Sequence, residues 1–182
     1  MFTPIPVSTN NKMSTVAMTK KLNDSPSQQR RKLFQELCSE FGSSESIPSN
    51  IYKRFLPETS YRVLRCNSME TISSGNLTRN FKPGTYFCLC CGLHLFDSTS
   101  KYGAHGYLSF SRATENVERL VEHREGVKRI EARCKNCSSH LGYIYRDDVS
   151  ETGERFSINS AALEFEMEKF DVALQKYSRL NL

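Results

Sequence analysis

Apolar side chains recur along the chain with three different rhythms. Residues Met1 to Ser25 are rich in Ser, Thr, Asn and Pro, and Asp24 is the only acid before Glu36. Such a segment cannot bury enough surface to offset its ordering entropy, so disorder is expected there. Leu33, Phe34, Leu37 and Phe41 then follow helical spacing. Ser25-Pro26 supplies an N-cap and a proline at the first helical position, and Gly42 supplies a stop. Cys38 lies beside that stripe and reads as a small hydrophobe. Residues Ser43 to Asn50 read as a linker, which places the domain boundary there.

Beyond Ile51 the rhythm shortens. Pro57-Glu58-Thr59 leads into a short helix that carries Tyr61, Val63 and Leu64 and ends at Cys66. Asn67 to Pro83 reads as loop. Candidate strands follow at Thr85–Leu89, Tyr107–Ser111, Val117–Val121, Lys128–Arg133, Leu141–Arg146 and Arg155–Asn159. Short strands with turn residues between them predict an antiparallel β domain. In the last stretch, Ala161 to Leu182, Phe170, Leu174 and Tyr177 return to helical spacing and predict an amphipathic helix. The expected organisation is a tail over 1–25, a helix and linker over 26–50, a β domain over 51–168 and a terminal helix over 169–182.

One phrase occurs twice inside the β region. Cys88 to Leu95 reads CLCCGLHL, and Cys134 to Leu141 reads CKNCSSHL. A two-residue gap lets both thiolates of a pair face one ion, and two pairs complete a tetrahedron of soft ligands. Cys88, Cys91, Cys134 and Cys137 are therefore expected to hold one structural zinc. Rubredoxin-type iron and two redox pairs are the alternatives. His94 and His140 recur at the same offset, but four thiolates already fill the site, so both read as turn or pocket residues. Cys90 falls inside the first pair, and the match with the second pair assigns the register to Cys88 and Cys91.

Composition narrows the function classes. The seven cysteines are an odd number with four committed to metal, which points to a reducing compartment rather than a secreted disulfide framework. The net charge of +5 comes without an aromatic-interleaved basic stripe, so no nucleic-acid partner is expected. No run of about 18 apolar residues is present, so no membrane partner is expected either. The expected location is cytoplasmic. The acid-poor, hydroxyl-rich start leaves a mitochondrial alternative, weakened by the absence of arginine before Arg30.

The runs GTYFCLCCGLHLF (Gly84 to Phe96), KYGAHGYLSF (Lys101 to Phe110), CKNCSSHLGYIY (Cys134 to Tyr145) and TGERFSINSAAL (Thr152 to Leu163), with the upstream YRVLR (Tyr61 to Arg65), resemble the methionine-(R)-sulfoxide reductase B family. The likeness spans about Leu56 to Phe165 and neither tail. It implies two antiparallel sheets clamped by a zinc ion remote from the pocket, to which the helical spacing outside the matched segment adds flanking N- and C-terminal helices. It also implies reduction of methionine-(R)-sulfoxide, free or in proteins, with thioredoxin as the usual reductant. In that chemistry a cysteine thiolate attacks the sulfoxide sulfur and takes up the oxygen as a sulfenic acid, which a second cysteine resolves as a disulfide.

The resemblance breaks at the pocket. Arg155-Phe156-Ser157-Ile158-Asn159-Ser160 puts serine where the family motif has its nucleophilic cysteine. Gly106-Tyr107-Leu108-Ser109-Phe110 has tyrosine in place of the methyl-binding tryptophan, and the chain contains no tryptophan. His105 stands at the position of the common resolving cysteine, and Tyr143 replaces the second histidine of the family's His-Leu-Gly-His. His140 and Asn159 match, and Asp147 matches a pocket acid less closely. A hydroxyl has no oxidation ladder, so the expected reading is a family member with lost or strongly reduced reductase activity, a pseudoenzyme. Three alternatives accompany it: an active reductase with a relocated thiol such as Cys66, a zinc-stabilised non-catalytic binding module, and a hydrolase site built from Ser157, His140 and Asp147. Thioredoxin is expected as a partner only if a redox cysteine pair exists.

Overall fold

A computed structural model of the chain describes residues 24–103, 106–124 and 126–169. Three helices precede the sheets: α1 (Pro26–Phe41), α2 (Ser49–Phe55) and α3 (Glu58–Cys66). α1 begins where the sequence predicts, with a reciprocal capping box. The Gln28 N–H donates to Ser25 Oγ at 3.4 Å, and the Ser25 N–H donates to Gln28 Oε1 at 2.9 Å. It ends at Gly42, whose φ of 86° favours glycine. The sequence pattern does not anticipate α2, which starts at the end of the expected linker behind Pro48.

The eight strands are β1 (Gly84–Cys88), β2 (His94–Asp97), β3 (Leu108–Phe110), β4 (Val117–Arg124), β5 (Val127–Cys134), β6 (His140–Arg146), β7 (Glu154–Ile158) and β8 (Leu163–Met167). They form two antiparallel sheets, ordered β2-β1-β8 and β3-β7-β6-β5-β4. The expected mainly β architecture of two antiparallel sheets is therefore present. All six expected strands exist with shifted ends, and β2 and β8 are additional.

β8 corrects the reading of Ala161 onward as helix. Leu163-Glu164-Phe165-Glu166-Met167 alternates apolar and acidic residues with period two, the rhythm of a half-covered strand. Leu163 and Phe165 belong to the core or pack on it. Glu164 and Glu166 instead meet α1: Arg30 lies 3.8 Å from Glu164, and the Ser27 N–H donates to Glu166 at 2.6 Å. The C-terminal helix expected over 169–182 falls outside the described residues from 170 onward.

The core lies between the sheets. Phe96 stacks on Phe110 at 4.3 Å between ring centroids, and Tyr86 meets Phe110 edge-on at 5.0 Å. Each fully buried side chain of this size stabilises by roughly 1.5–3 kcal/mol. Burial pushes the Tyr86 phenol up to about 12, and its hydroxyl donates to the Asn80 carbonyl at 3.3 Å. Among the described residues no helix is long and apolar enough to cross a membrane.

Candidate metal centre and pocket

The repeated phrase folds into the same turn twice. In the β1–β2 hairpin the Gly92 N–H donates to the Cys88 carbonyl, and the Cys88 N–H donates to the Leu93 carbonyl, both at 2.8 Å. In the β5–β6 hairpin the Ser138 N–H donates to the Cys134 carbonyl, and the Cys134 N–H donates to the Ser139 carbonyl, both at 2.9 Å. Gly92 and Ser138 occupy equivalent positions with φ of 69° and 56°. Gly92 has a second reason to be glycine, since a Cβ there would strike the Ser27 carbonyl of α1. Arg31 of α1 also donates to the Gly92 carbonyl at 3.1 Å.

The two turns bring Cys88, Cys91, Cys134 and Cys137 together, all buried, with their sulfurs within 4.8 Å of one another. Cys88 and Cys91 lie on the three-stranded sheet's hairpin, and Cys134 and Cys137 on that of the five-stranded sheet. An ion here ties one sheet to the other. Hydrogen bonds from the neighbouring thiols, Cys134 first, hold Cys137 well below the ordinary thiol value. The same network and burial push Cys88 and Cys134 well above theirs. Four thiolates packed this closely require a cation to offset their charge. The donor set suits a soft or borderline metal ion with no open coordination position.

Cys90 is buried, and its thiol is pushed well above the ordinary value by its neighbour Cys137 and by burial. Arg65 donates to the Cys137 carbonyl at 2.9 Å while its guanidinium lies 4.3 Å from the Tyr52 ring centroid. His94 pairs with Asp97 at 3.0 Å, and His140 pairs with Glu131 at 2.7 Å. Both histidines are thus engaged by carboxylates.

The second site lies along the five-stranded sheet. Register sets Ser109 opposite Ser157, Ser157 opposite Tyr143, and Tyr143 opposite Glu131. Directly paired residues share a face, so these four form a row across β3, β7, β6 and β5. Gly142 lets β6 approach β7 closely, because a Cβ there would run into the Ser157 carbonyl. Ser157 and Tyr143 are both buried, and the Tyr143 ring meets His140 edge-on at 5.2 Å.

Loop residues after α3 close one end of the row. The Asn159 side chain accepts from the Glu70 N–H at 2.9 Å and donates to the Leu141 carbonyl at 2.9 Å. The Glu70 carboxylate accepts from the Ser160 and Ala161 N–H groups at 2.9 and 3.0 Å. Tyr107 donates to the Glu70 carbonyl at 3.2 Å, and its phenol is pushed up by burial and then by the Glu70 charge. A cavity of about 490 Å³ opens beside this end, lined in part by Arg62, Cys66, Met69, Arg129 and Tyr143.

Known proteins match this architecture. The SelR domain family matches residues 56–167, from the start of α3 through β8 and including both cysteine turns. A probable methionine-R-sulfoxide reductase B of Caenorhabditis elegans is 42% identical over 127 residues, covering 67% of this chain and 84% of that protein. The peptide methionine sulfoxide reductase MsrB of Leptospira interrogans is 37% identical over 120 residues, covering 64% of this chain and 92% of its own.

The chain belongs to the methionine-(R)-sulfoxide reductase B family.

The family match leaves α1 and α2 outside it, so the helix that packs on the first cysteine turn is an addition to the family domain. Within the family domain, the structure separates some residues that the sequence groups. Asp147 accepts from the Tyr102 hydroxyl at 3.0 Å and lies 3.7 Å from Arg155. The acid on His140 is instead Glu131, which sequence reasoning missed. An acid at the centre of an expected strand was the available signal. Glu70, Arg62 and Arg129 were missed as well. Of the two cysteines outside the metal turns, Cys66 lines the cavity beside Tyr143, and Cys38 lines a second cavity of about 400 Å³ with Cys91. His105 lies outside the described residues.

Proposed function

We propose that this chain keeps the metal-clamped domain of the methionine-(R)-sulfoxide reductase B family and has lost, or retains only in strongly reduced form, the reduction of methionine-(R)-sulfoxide. One observation carries the reading. Ser157 takes the position of the family nucleophile, and the strand row around it offers Ser109, Tyr143 and Glu131 but no thiol. The reaction needs a nucleophile that is itself oxidised, and a hydroxyl cannot take up the oxygen. Tyr107 and Tyr143 change the walls that receive a methyl sulfoxide. Asn159 and Glu70 then serve to staple the pocket end, and His140 is an inward-facing partner of Glu131.

The four cysteines hold one zinc ion in a structural role, a reading supported by their burial and by four protein ligands filling the tetrahedron. The working domain runs over 51–168. The absence of a disulfide framework supports a reducing compartment, with the cytoplasm preferred over the mitochondrion. The class this leaves is a zinc-stabilised binding module.

Cys66 favours a second reading, since its thiol shares the cavity with Tyr143, the register neighbour of Ser157. A relocated nucleophile there restores the reductase. Thioredoxin enters only if that thiol acquires a resolving partner. Both readings are tested by turnover of methionine-(R)-sulfoxide with dithiothreitol, which bypasses a resolving cysteine. No turnover supports the first. Turnover abolished by Cys66→Ala establishes the second.

A further inference from the structure

The cavity at the end of α3 contains two cationic side chains that the reductase chemistry does not use. Arg62 and Arg129 both line it. Among the described residues neither guanidinium forms an ion pair with a carboxylate. Two nearby acids are committed elsewhere. Glu131 is held by His140, and Glu70 accepts from two backbone N–H groups. Glu122 stands across from Arg129 in the β4–β5 ladder without pairing with it. Arg129 lies 5.7 Å over the Tyr143 ring, which leaves the polar edge of its guanidinium for another group. The rest of the lining is mainly polar, with Asn67 and Ser68 beside Met69 and Tyr143.

We propose that this cavity is an oxyanion-binding site. It takes a small ligand with a carboxylate or phosphate group, held by Arg62 and Arg129. Guanidinium forks match both anions in geometry and charge, and a mainly polar lining suits a charged group. The proposal deepens the reading above by naming the ligand class of the altered pocket, and rests on it only for placing that pocket at Tyr143.

Cys66, in the same cavity, gives a covalent reporter that is independent of any turnover. The full chain, metal-loaded and carrying Cys38→Ser, is treated with dithiodipropionate or with cystamine, disulfides of similar size and opposite charge. In either case the Cys66 thiolate attacks one sulfur, a mixed disulfide forms, the reagent's S–S bond breaks and one thiolate leaves. Peptide mass mapping follows the adduct on Cys66. At low salt the anionic reagent is expected to react at least about tenfold faster. In Arg62→Gln with Arg129→Gln the ratio falls to about that of a reagent pair without steering, while Arg112→Gln, outside the cavity, leaves it unchanged. Equal rates, or a preference that survives the double substitution, overturn the proposal. If the double variant loses the native circular dichroism spectrum, salt decides. About 0.5 M KCl then reduces the wild-type preference several-fold, and a preference indifferent to salt overturns the site. Benzoate and inorganic phosphate are finally compared as protectants of Cys66. Protection by one assigns the anion, and protection by neither overturns the proposal.

Discussion

The cysteine turns and the Ser157 row are both buried, and both are built on the same five-stranded sheet, yet they have kept different things. At the metal end each hydrogen bond of one turn has a counterpart in the other, and four thiols converge from two sheets. At the pocket end the backbone frame is equally complete, with Asn159 and Glu70 stapling loop to strand. What differs is the reactive group. A metal site is part of the fold, because an ion bound only by the native state stabilises that state directly. A nucleophile contributes little to folding, so on the proposed reading Ser157 occupies its place while the sheet stays intact. Under the proposed function, the contrast means that scaffold and chemistry are separable within one small β domain.

The comparison breaks first at the metal. Chelation of the ion, or Cys134→Ser, is expected to unfold the domain, since structural zinc contributes on the order of 10 kcal/mol to small metal-dependent folds. Thermal melts with and without a strong chelator check this, and an unchanged melting curve contradicts it. Next comes the buried pair behind the pocket. Glu131→Leu strands a fully buried His140 and is expected to cost roughly 3 kcal/mol in urea unfolding.

A smaller effect belongs to the sheet surface. Arg119 donates to both oxygens of Glu154 at 2.6 and 2.8 Å and holds its carboxyl below the ordinary value of 4.5. A depressed carboxyl contributes stability that is present above about pH 4.5 and lost as pH falls through the folded value. The pair is largely exposed, so Glu154→Gln is expected to cost about 0.5 kcal/mol at neutral pH and nothing in acid. Denaturant titrations at both pH values measure it. Smallest of all is Ser157→Cys. It changes one atom, leaves Tyr107 and Tyr143 in place, and is expected to shift stability by less than about 1 kcal/mol while restoring little reductase activity. Robust turnover from that one change sharpens the comparison in the other direction, by locating the whole loss at a single side chain.

Local rules made part of the molecule legible in the sequence. The cap at Ser25, the stop at Gly42 and the paired cysteine turns each depend on residues within one short window, and the structure has all three. The six expected strands are short apolar-rich pieces set off by glycine and polar turns. Leu163 to Met167 alternates with period two, but the helical spacing of Phe170, Leu174 and Tyr177 masked it. β2 was hidden because four residues, half of a metal turn's exit, are too few to show a period. The pocket was less readable. Asp147 matched a family position, whereas the partner that His140 needs is Glu131, nine residues earlier and brought in by the β5–β6 ladder. Pairings of that kind are set by register, and a one-residue bulge between Ala132 and Arg133 resets which side chains share a face. The family motifs reached the chain's membership correctly because they lie in the segment, residues 56–167, that the family match covers.

The most direct test of the separation between scaffold and chemistry is a single turnover. Stoichiometric metal-loaded protein is mixed with a peptide containing methionine-(R)-sulfoxide, without any reductant, and both products are followed by mass spectrometry. A competent family nucleophile yields about one equivalent of methionine and one oxidised cysteine. The account predicts no methionine and every cysteine unchanged, from a protein whose melting curve is native. Formation of methionine with oxygen or a disulfide on Cys66 would contradict it.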